Sequence, residues 1–257
     1  MSNFLHPDVL IIGGGIAGCA AAVSLKQKGL SVLVIEKDAE VRERFKGEYL
    51  QPFTVKKLRS LGFGELVDGP DTVKIRQLRF RDLDDHQNTL SETTIRYPVG
   101  SFAAVLPNKN LVAKIRKHTQ QLLGENFIAG ATAEPVNANA ADFFKAPEFK
   151  VGKPNGLNLT IKPKWVIGCD GRQSTVRKWM GGKSAPAIGS ATLGSSPEFI
   201  VGAELKGAHS FEEMYQVIRS HKRGTLAVFK LDENSRRCYW NTPVSYTHLT
   251  LPTIYSV

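Results

Sequence analysis

Four residues near the N-terminus have the spacing with the clearest chemistry: Gly13, Gly15 and Gly18, and then Glu36 at the end of the second apolar run. In a Gly-x-Gly-x-x-Gly turn the first glycine allows the turn, the second lets an anion approach the backbone, and the third lets a helix sit close behind. A carboxylate at the end of the next strand can accept hydroxyl hydrogens from a ribose. The set describes a cradle for the pyrophosphate of a dinucleotide, with the amides of Ile16 and Ala17 at the positive end of a helix dipole. FAD and NAD both use such a unit, so the spacing alone leaves the dinucleotide open.

Positioning these residues requires a strand, a helix and a second strand. Val9-Leu10-Ile11-Ile12 is an unbroken apolar run, the stretch to Lys28 is alanine-rich with helical periodicity, and Leu30-Ser31-Val32-Leu33-Val34-Ile35 is apolar again. Continuous apolar strands joined through a helix predict β-α-β in a parallel sheet buried on both faces. Trp165-Val166-Ile167-Gly168-Cys169 predicts a return to that sheet, and Asp170 a cap on the helix that follows. Pro52 opens a predicted helix that Gly62 ends, and Leu111, Ile115, Leu122 and Leu123 mark another.

Between and after these segments the texture alternates. Val73–Val99 reads as a hairpin around Asp84–Asn88, Asn126–Thr132 as a strand, and Phe149–Val151 with Leu157–Ile161 as a hairpin about Asn155-Gly156. Beyond Phe199 four further strands form a meander. The fold class is α/β.

With 257 residues, 42% of them apolar, the chain can build a proper core. The net charge of +10 comes from scattered cations, among them Lys114, Arg116 and Lys117, read as solvated faces. No aromatic-studded basic motif accompanies them, so no nucleic-acid partner is expected, and the charge favours anionic cofactors or a membrane surface. Cys19, Cys169 and Cys238 form no metal-ligand pattern, which predicts a reducing compartment and no metal. The first apolar run is too short for a signal or membrane helix, so the expectation is a cytoplasmic chain.

Three motifs then stand in order: Gly13-x-Gly15-x-x-Gly18 with Glu36, Arg44-Phe45-Lys46-Gly47-Glu48-Tyr49-Leu50-Gln51-Pro52, and Cys169-Asp170-Gly171-x-x-Ser174-x-x-Arg177. The set resembles single-component FAD-dependent monooxygenases of the p-hydroxybenzoate hydroxylase fold, and the middle motif is most similar to the squalene monooxygenase branch. The resemblance implies a Rossmann-type, GR2-like FAD-binding domain with an inserted, mainly antiparallel β substrate domain, incomplete at the C-terminus. Its implied boundaries are 1–72 and 101–184 for the FAD-binding domain and 73–100 and 185–243 for the substrate domain. Residues 244–257 match no pattern of the family and are read as a non-native tail; such proteins continue to a Gly-Asp-Ala segment that this sequence lacks, so the chain alone is expected to be inactive.

The same resemblance implies FAD as cofactor, NAD(P)H as reductant, and O2 with a small apolar substrate as partners, with peripheral membrane association. It assigns Glu36 and Lys37 to the adenosine side, Arg44 to the flavin phosphate or ribityl region with Glu48 beside it, and Tyr49 to the cofactor lining. Asp170 and Gly171 fall by the phosphates. Asn108 stands where relatives carry a cofactor-touching arginine. Gln51 and Tyr97 are the implied catalytic pair, hydrogen-bonded beside the flavin. The implied activity is epoxidation or hydroxylation of an isoprenoid or aromatic substrate. The alternatives are a geranylgeranyl-reductase-like flavoprotein and a non-catalytic FAD-binding fragment.

Overall fold

The computed structural model describes residues 4–42, 48–136, 147–152, 156, 158–171, 174–179, 198–207, 214–220 and 222–243. In chain order the first elements are β1 (Phe4–Leu5), β2 (Val9–Ile12), α1 (Ile16–Gln27), β3 (Val32–Glu36), β4 (Tyr49–Leu50), α2 (Pro52–Ser60), α3 (Gly64–Asp68) and β5 (Val73–Ile75). Then come β6 (Gln77–Leu83), β7 (Thr89–Arg96), β8 (Ala103–Val105), α4 (Asn108–Leu123), β9 (Phe127–Ala129), β10 (Thr132–Pro135), β11 (Phe149–Gly152) and β12 (Asn158–Ile161). The last are β13 (Trp165–Gly168), α5 (Thr175–Trp179), β14 (Glu198–Lys206), β15 (Met214–Ser220), β16 (Gly224–Lys230) and β17 (Ser235–Pro243).

The chain divides into two compact units. The first comprises Met1–Arg44, Leu58–Leu66 and Lys109–Leu193, the second Phe45–Lys57, Val67–Asn108 and Gly194–Val257. In the first unit β13, β2, β3 and β9 form a parallel sheet in that order. All residues of β2 and β3 are buried, as their unbroken apolar sequences require when both faces are covered. A second sheet, β1-β12-β11-β10, packs its buried Phe149, Val151, Leu159 and Ile161 with Leu10, Leu33 and Ile35 of the first in one core.

The single strand expected over Asn126–Thr132 is two. Gly130 takes a φ of +69°, a conformation open to glycine, so β9 ends in the parallel sheet and β10 starts the antiparallel one. The Val73–Val99 segment also divides, with β5 joining β4 and β8 in a small antiparallel sheet.

In the second unit β6 and β7 form the expected hairpin around Asp84–Asn88, and the larger sheet runs β14-β17-β16-β15-β6-β7. Its pairings are antiparallel except β15 with β6, which is parallel. Its core joins Ile75, Ala103, Val105, Phe229 and Leu231. Among the described residues no helix is long and apolar enough to cross a membrane, and no cluster of His, Cys, Asp or Glu side chains could hold a metal ion.

Candidate functional site

In the first unit the three glycines meet three different surroundings. Gly13 turns at φ +108°, and a Cβ there would lie 2.4 Å from the Cys169 carbonyl oxygen, so the turn after β2 lies directly on the loop after β13. A Cβ on Gly18 would lie 1.8 Å from the Gly13 carbonyl oxygen, so α1 can sit this close only as glycine. Gly15, by contrast, would meet nothing within 4 Å. That open approach beside the amides that begin α1 is where an anion can reach the backbone. Ile16 and Ala17 form the first turn of that helix.

Glu36 ends β3 only 8% exposed. Its Oε2 accepts the Gly14 amide at 2.6 Å and its Oε1 the Asp38 amide at 2.8 Å. A carboxylate has about four acceptor sites, so capacity for hydroxyl hydrogens remains. Lys37, next in sequence, is exposed.

Asp170 Oδ2 accepts the amides of Thr175 at 2.5 Å and Val176 at 3.2 Å, which is the expected cap on α5. Its Oδ1 is buried and has no hydrogen-bond partner among the described residues. Gly171 follows at φ +86°.

Two residues here escaped the sequence reading. Gly14 was only an intervening position, yet a Cβ on it would lie 2.8 Å from the Phe127 ring and 2.9 Å from Glu36 Cβ. Arg116, read as part of a solvated basic face, is 7% exposed. Its Nε donates to the Gly14 carbonyl at 3.3 Å and its Nη1 to the Asp38 carbonyl at 3.0 Å, while Nη2 lies 3.7 Å from Glu36 Oε2. Its place on α4 in register with Val112, Thr119 and Leu123 and beside buried Ile115 was the available signal, since a charge on the buried face of a helix needs a partner there.

The second unit gathers Tyr49, Gln51, Tyr97 and Asn108. The Tyr97 hydroxyl donates to Gln51 Oε1 at 3.1 Å and lies 2.8 Å from the Tyr49 hydroxyl. A phenol has one proton, so with Tyr97 donating to Gln51 it is Tyr49 that donates to Tyr97. Burial first, and then the bond to Tyr97, push the Tyr49 phenol well above its usual value. Tyr49 also packs on Tyr215, with centroids 4.5 Å apart, and Tyr215 stacks on Phe229 at 5.3 Å.

Glu48, read as a flavin contact, is engaged within the unit instead. It is 1% exposed and receives Arg237 Nε at 2.7 Å, Arg237 Nη2 at 2.9 Å, the Tyr239 hydroxyl at 2.7 Å and the Asn108 amide at 3.4 Å. Asn108 is itself buried at the start of α4. Arg44 and the tail at 244–257 lie outside the described residues.

The FAD binding domain family matches residues 6–252. The chain belongs to this family. The chain is 37% identical over 236 residues to squalene monooxygenase of Mus musculus, covering 90% of this chain and 38% of that protein. It is 38% identical over 182 residues to squalene monooxygenase of Rattus norvegicus, covering 69% and 30%. The chain therefore spans well under half the length of these relatives.

In fold it is similar to p-nitrophenol 4-monooxygenase PnpA from Pseudomonas putida (17% identity, TM-score 0.68, 96% of this chain and 60% of that one). It is similar too to the flavin-dependent halogenase CmlS (20%, TM-score 0.73, 94% and 42%). The cradle fits the cofactor of its family: Gly15 is open where its neighbours are filled, Glu36 retains acceptor capacity, and Asp170 holds a buried oxygen with no partner among the described residues.

Proposed function

We propose that this chain is the cofactor-binding part, and some of the substrate-binding part, of an FAD-dependent monooxygenase. It uses NAD(P)H and O2 to epoxidise or hydroxylate an apolar isoprenoid or aromatic substrate, squalene being the compound to try first. The observation that carries this reading is the hydroxyl chain from Tyr49 through Tyr97 to Gln51, in a protein whose first unit holds a dinucleotide cradle.

Gly13, Gly15, Gly18 and the amides of Ile16 and Ala17 hold the pyrophosphate, and Glu36 the ribose, with Lys37 and Arg44 supplying positive charge. Asp170 and Gly171 sit by the phosphates, where Asp170 Oδ1 offers an acceptor to a hydroxyl or amide hydrogen of the bound group. Tyr49 and Asn108 line the cofactor. When bound, the flavin supplies the activation of O2 with electrons from NAD(P)H. Tyr97 holds the Gln51 carbonyl, so the Gln51 amide hydrogens stay free to orient an acceptor. Tyr215 and Phe229 keep the surroundings of Tyr49 apolar and limit water.

The cofactor part takes 1–72 and 101–184 and the substrate part 73–100 and 185–243. The cationic balance suits peripheral contact with an anionic membrane. The test is oxygen uptake with NADPH and squalene by the FAD-loaded protein extended to the length of its squalene monooxygenase relatives, with mass spectrometry of the product. Gain of one oxygen atom is the expected result. Gain of two hydrogens without oxygen uptake would replace this reading with a double-bond reductase.

A further inference from the structure

The large sheet of the second unit presents two faces of different character. Tyr215, Phe229 and Tyr239 lie on one, in the core with Tyr49 and Tyr97. On the other the strand register sets Ile218 opposite Leu226, Leu226 opposite Trp240 and Trp240 opposite Val201, a row of large apolar side chains across four strands. Small residues flank this row, Ala203 and Cys238 on one side and Ser220 and Gly224 on the other, and leave a hollow of about 500 Å³. That volume lies in the range of small-molecule pockets, about 300–1,000 Å³.

The mouth differs from the floor. Trp240 Nε1 donates to the Arg223 carbonyl at 2.7 Å, which fixes the indole against the turn and leaves its ring as apolar wall. Gln87 and Arg223 are the polar residues at this rim. Neighbouring cations are neutralised: Lys222 by Asp85 at 2.6 Å, Arg219 by Asp82 at 2.6 Å and Arg81 by Glu92 at 2.9 Å. Among the described residues the Arg223 guanidinium has no such partner. Among the described residues, an apolar floor thus lies under a cation without an acidic partner, an arrangement complementary to one kind of molecule.

We propose that this hollow is a second binding site, separate from the Tyr49–Tyr97–Gln51 chain, for a small amphipathic anion: an apolar chain seated on Ile218, Leu226 and Trp240 with a single anionic head on Arg223. Head groups of carboxylate and phosphate type share this chemistry. The site is independent of flavin chemistry, so its test stands apart from that of the proposed activity.

Cys238 lines the hollow and reports on it. Burial pushes its thiol above the usual range, so alkylation by N-ethylmaleimide is slow and best followed at mildly alkaline pH by peptide mass spectrometry. Oleate below its micelle threshold should slow alkylation of Cys238 several-fold and leave Cys169 unchanged. Oleyl alcohol should protect a few-fold less well, because an exposed ion pair contributes only modestly. Dodecyl phosphate against dodecanoate separates the two head groups. Arg223→Gln, on an exposed turn, should equalise oleate and oleyl alcohol, and Ala203→Phe should remove protection by both.

Three results would overturn the proposal. One is no effect of oleate on Cys238, and another is equal protection of Cys169. The third is protection by phosphatidylglycerol vesicles without protection by monomeric oleate, which would make this face a membrane-contacting surface.

Discussion

Glu36 and Glu48 are both buried carboxylates that sequence motifs single out, and they differ in what surrounds them. Glu36 has two backbone amides and an arginine nitrogen at 3.7 Å, an arrangement that leaves acceptor sites unused. Glu48 has a bidentate arginine, a phenol and a helix-initial amide, which saturate it. The first is an open socket and the second a closed joint between β4 and β17. A buried acid in a motif therefore belongs to a ligand site only when its acceptor capacity exceeds what the protein supplies.

The largest expected effect breaks the closed joint. Glu48→Ala takes from buried Arg237 its bidentate anion and leaves Glu204 at 3.5 Å, and losing a buried ion-pair partner costs about 3–5 kcal/mol, so the denaturation midpoint of the chain should fall steeply. Glu48→Leu with Arg237→Met should recover much of it. A small effect of Glu48→Ala would mean that the joint is open and Glu48 available to a ligand.

Next is the open socket. Glu36→Ala should weaken FAD by roughly 10- to 150-fold, from the loss of hydrogen bonds to a charged acceptor at about 1.5–3 kcal/mol. Calorimetric titration of FAD into wild type and variant checks this. Unchanged affinity with a large loss of stability would place Glu36 in the same class as Glu48.

Gly15→Ala sharpens the comparison without touching a carboxylate. Gly15 has an ordinary φ of −79° and no neighbour within 4 Å, so the fold should be unaffected while FAD affinity drops about tenfold or more as the methyl meets the pyrophosphate. Equal FAD affinity in the two proteins would move the pyrophosphate elsewhere.

The smallest effect concerns the tyrosines of the second unit. Burial chiefly pushes the phenols of Tyr49, Tyr215 and Tyr239 above their ordinary 10.0, helped by Tyr97 for Tyr49 and by Glu48 for Tyr239. The folded state keeps these protons to higher pH than the unfolded state, so their contribution is fully present below about pH 10 and is lost as pH rises beyond it. Tyr97→Phe should cost about 0.5–1.5 kcal/mol at neutral pH and make the alkaline fall shallower, because it removes one cause of the Tyr49 shift. Urea unfolding at a series of pH values measures both.

The parallel sheet was legible because β2 and β3 are continuous apolar strands, as burial on both faces demands, and β13 has a similar composition although it stands at the end of the sheet order with Trp165 exposed. The Gly-x-Gly-x-x-Gly turn was legible because its spacing reflects local needs, the φ of +108° at Gly13 and the contact of Gly18 with the Gly13 carbonyl, whereas the contact of Gly13 with Cys169 is set by the fold. The split at Gly130 and the reassignment of β5 were not, since alternation marks a strand without naming its partner. Arg116 was missed because it stands among Lys114 and Lys117 in a basic stretch, and only its helical register with buried Thr119 and Leu123 distinguishes it from cations that face water.

By itself the sequence determined the Gly-x-Gly-x-x-Gly turn, the cap at Asp170 and the strands and helices that carry them, because these depend on residues near one another in the chain, while Arg116 and the loop after β13 join the turn only in the fold. Only the tertiary structure decided the fate of Glu48, since Arg237 and Tyr239 reach it from β17. It likewise decided the row of Val201, Trp240, Leu226 and Ile218, which exists only once four strands take their register. The physical reason is the range of the forces: turn sterics and helix capping act within a few residues, whereas the partner of a buried charge is chosen by packing between segments far apart in the chain.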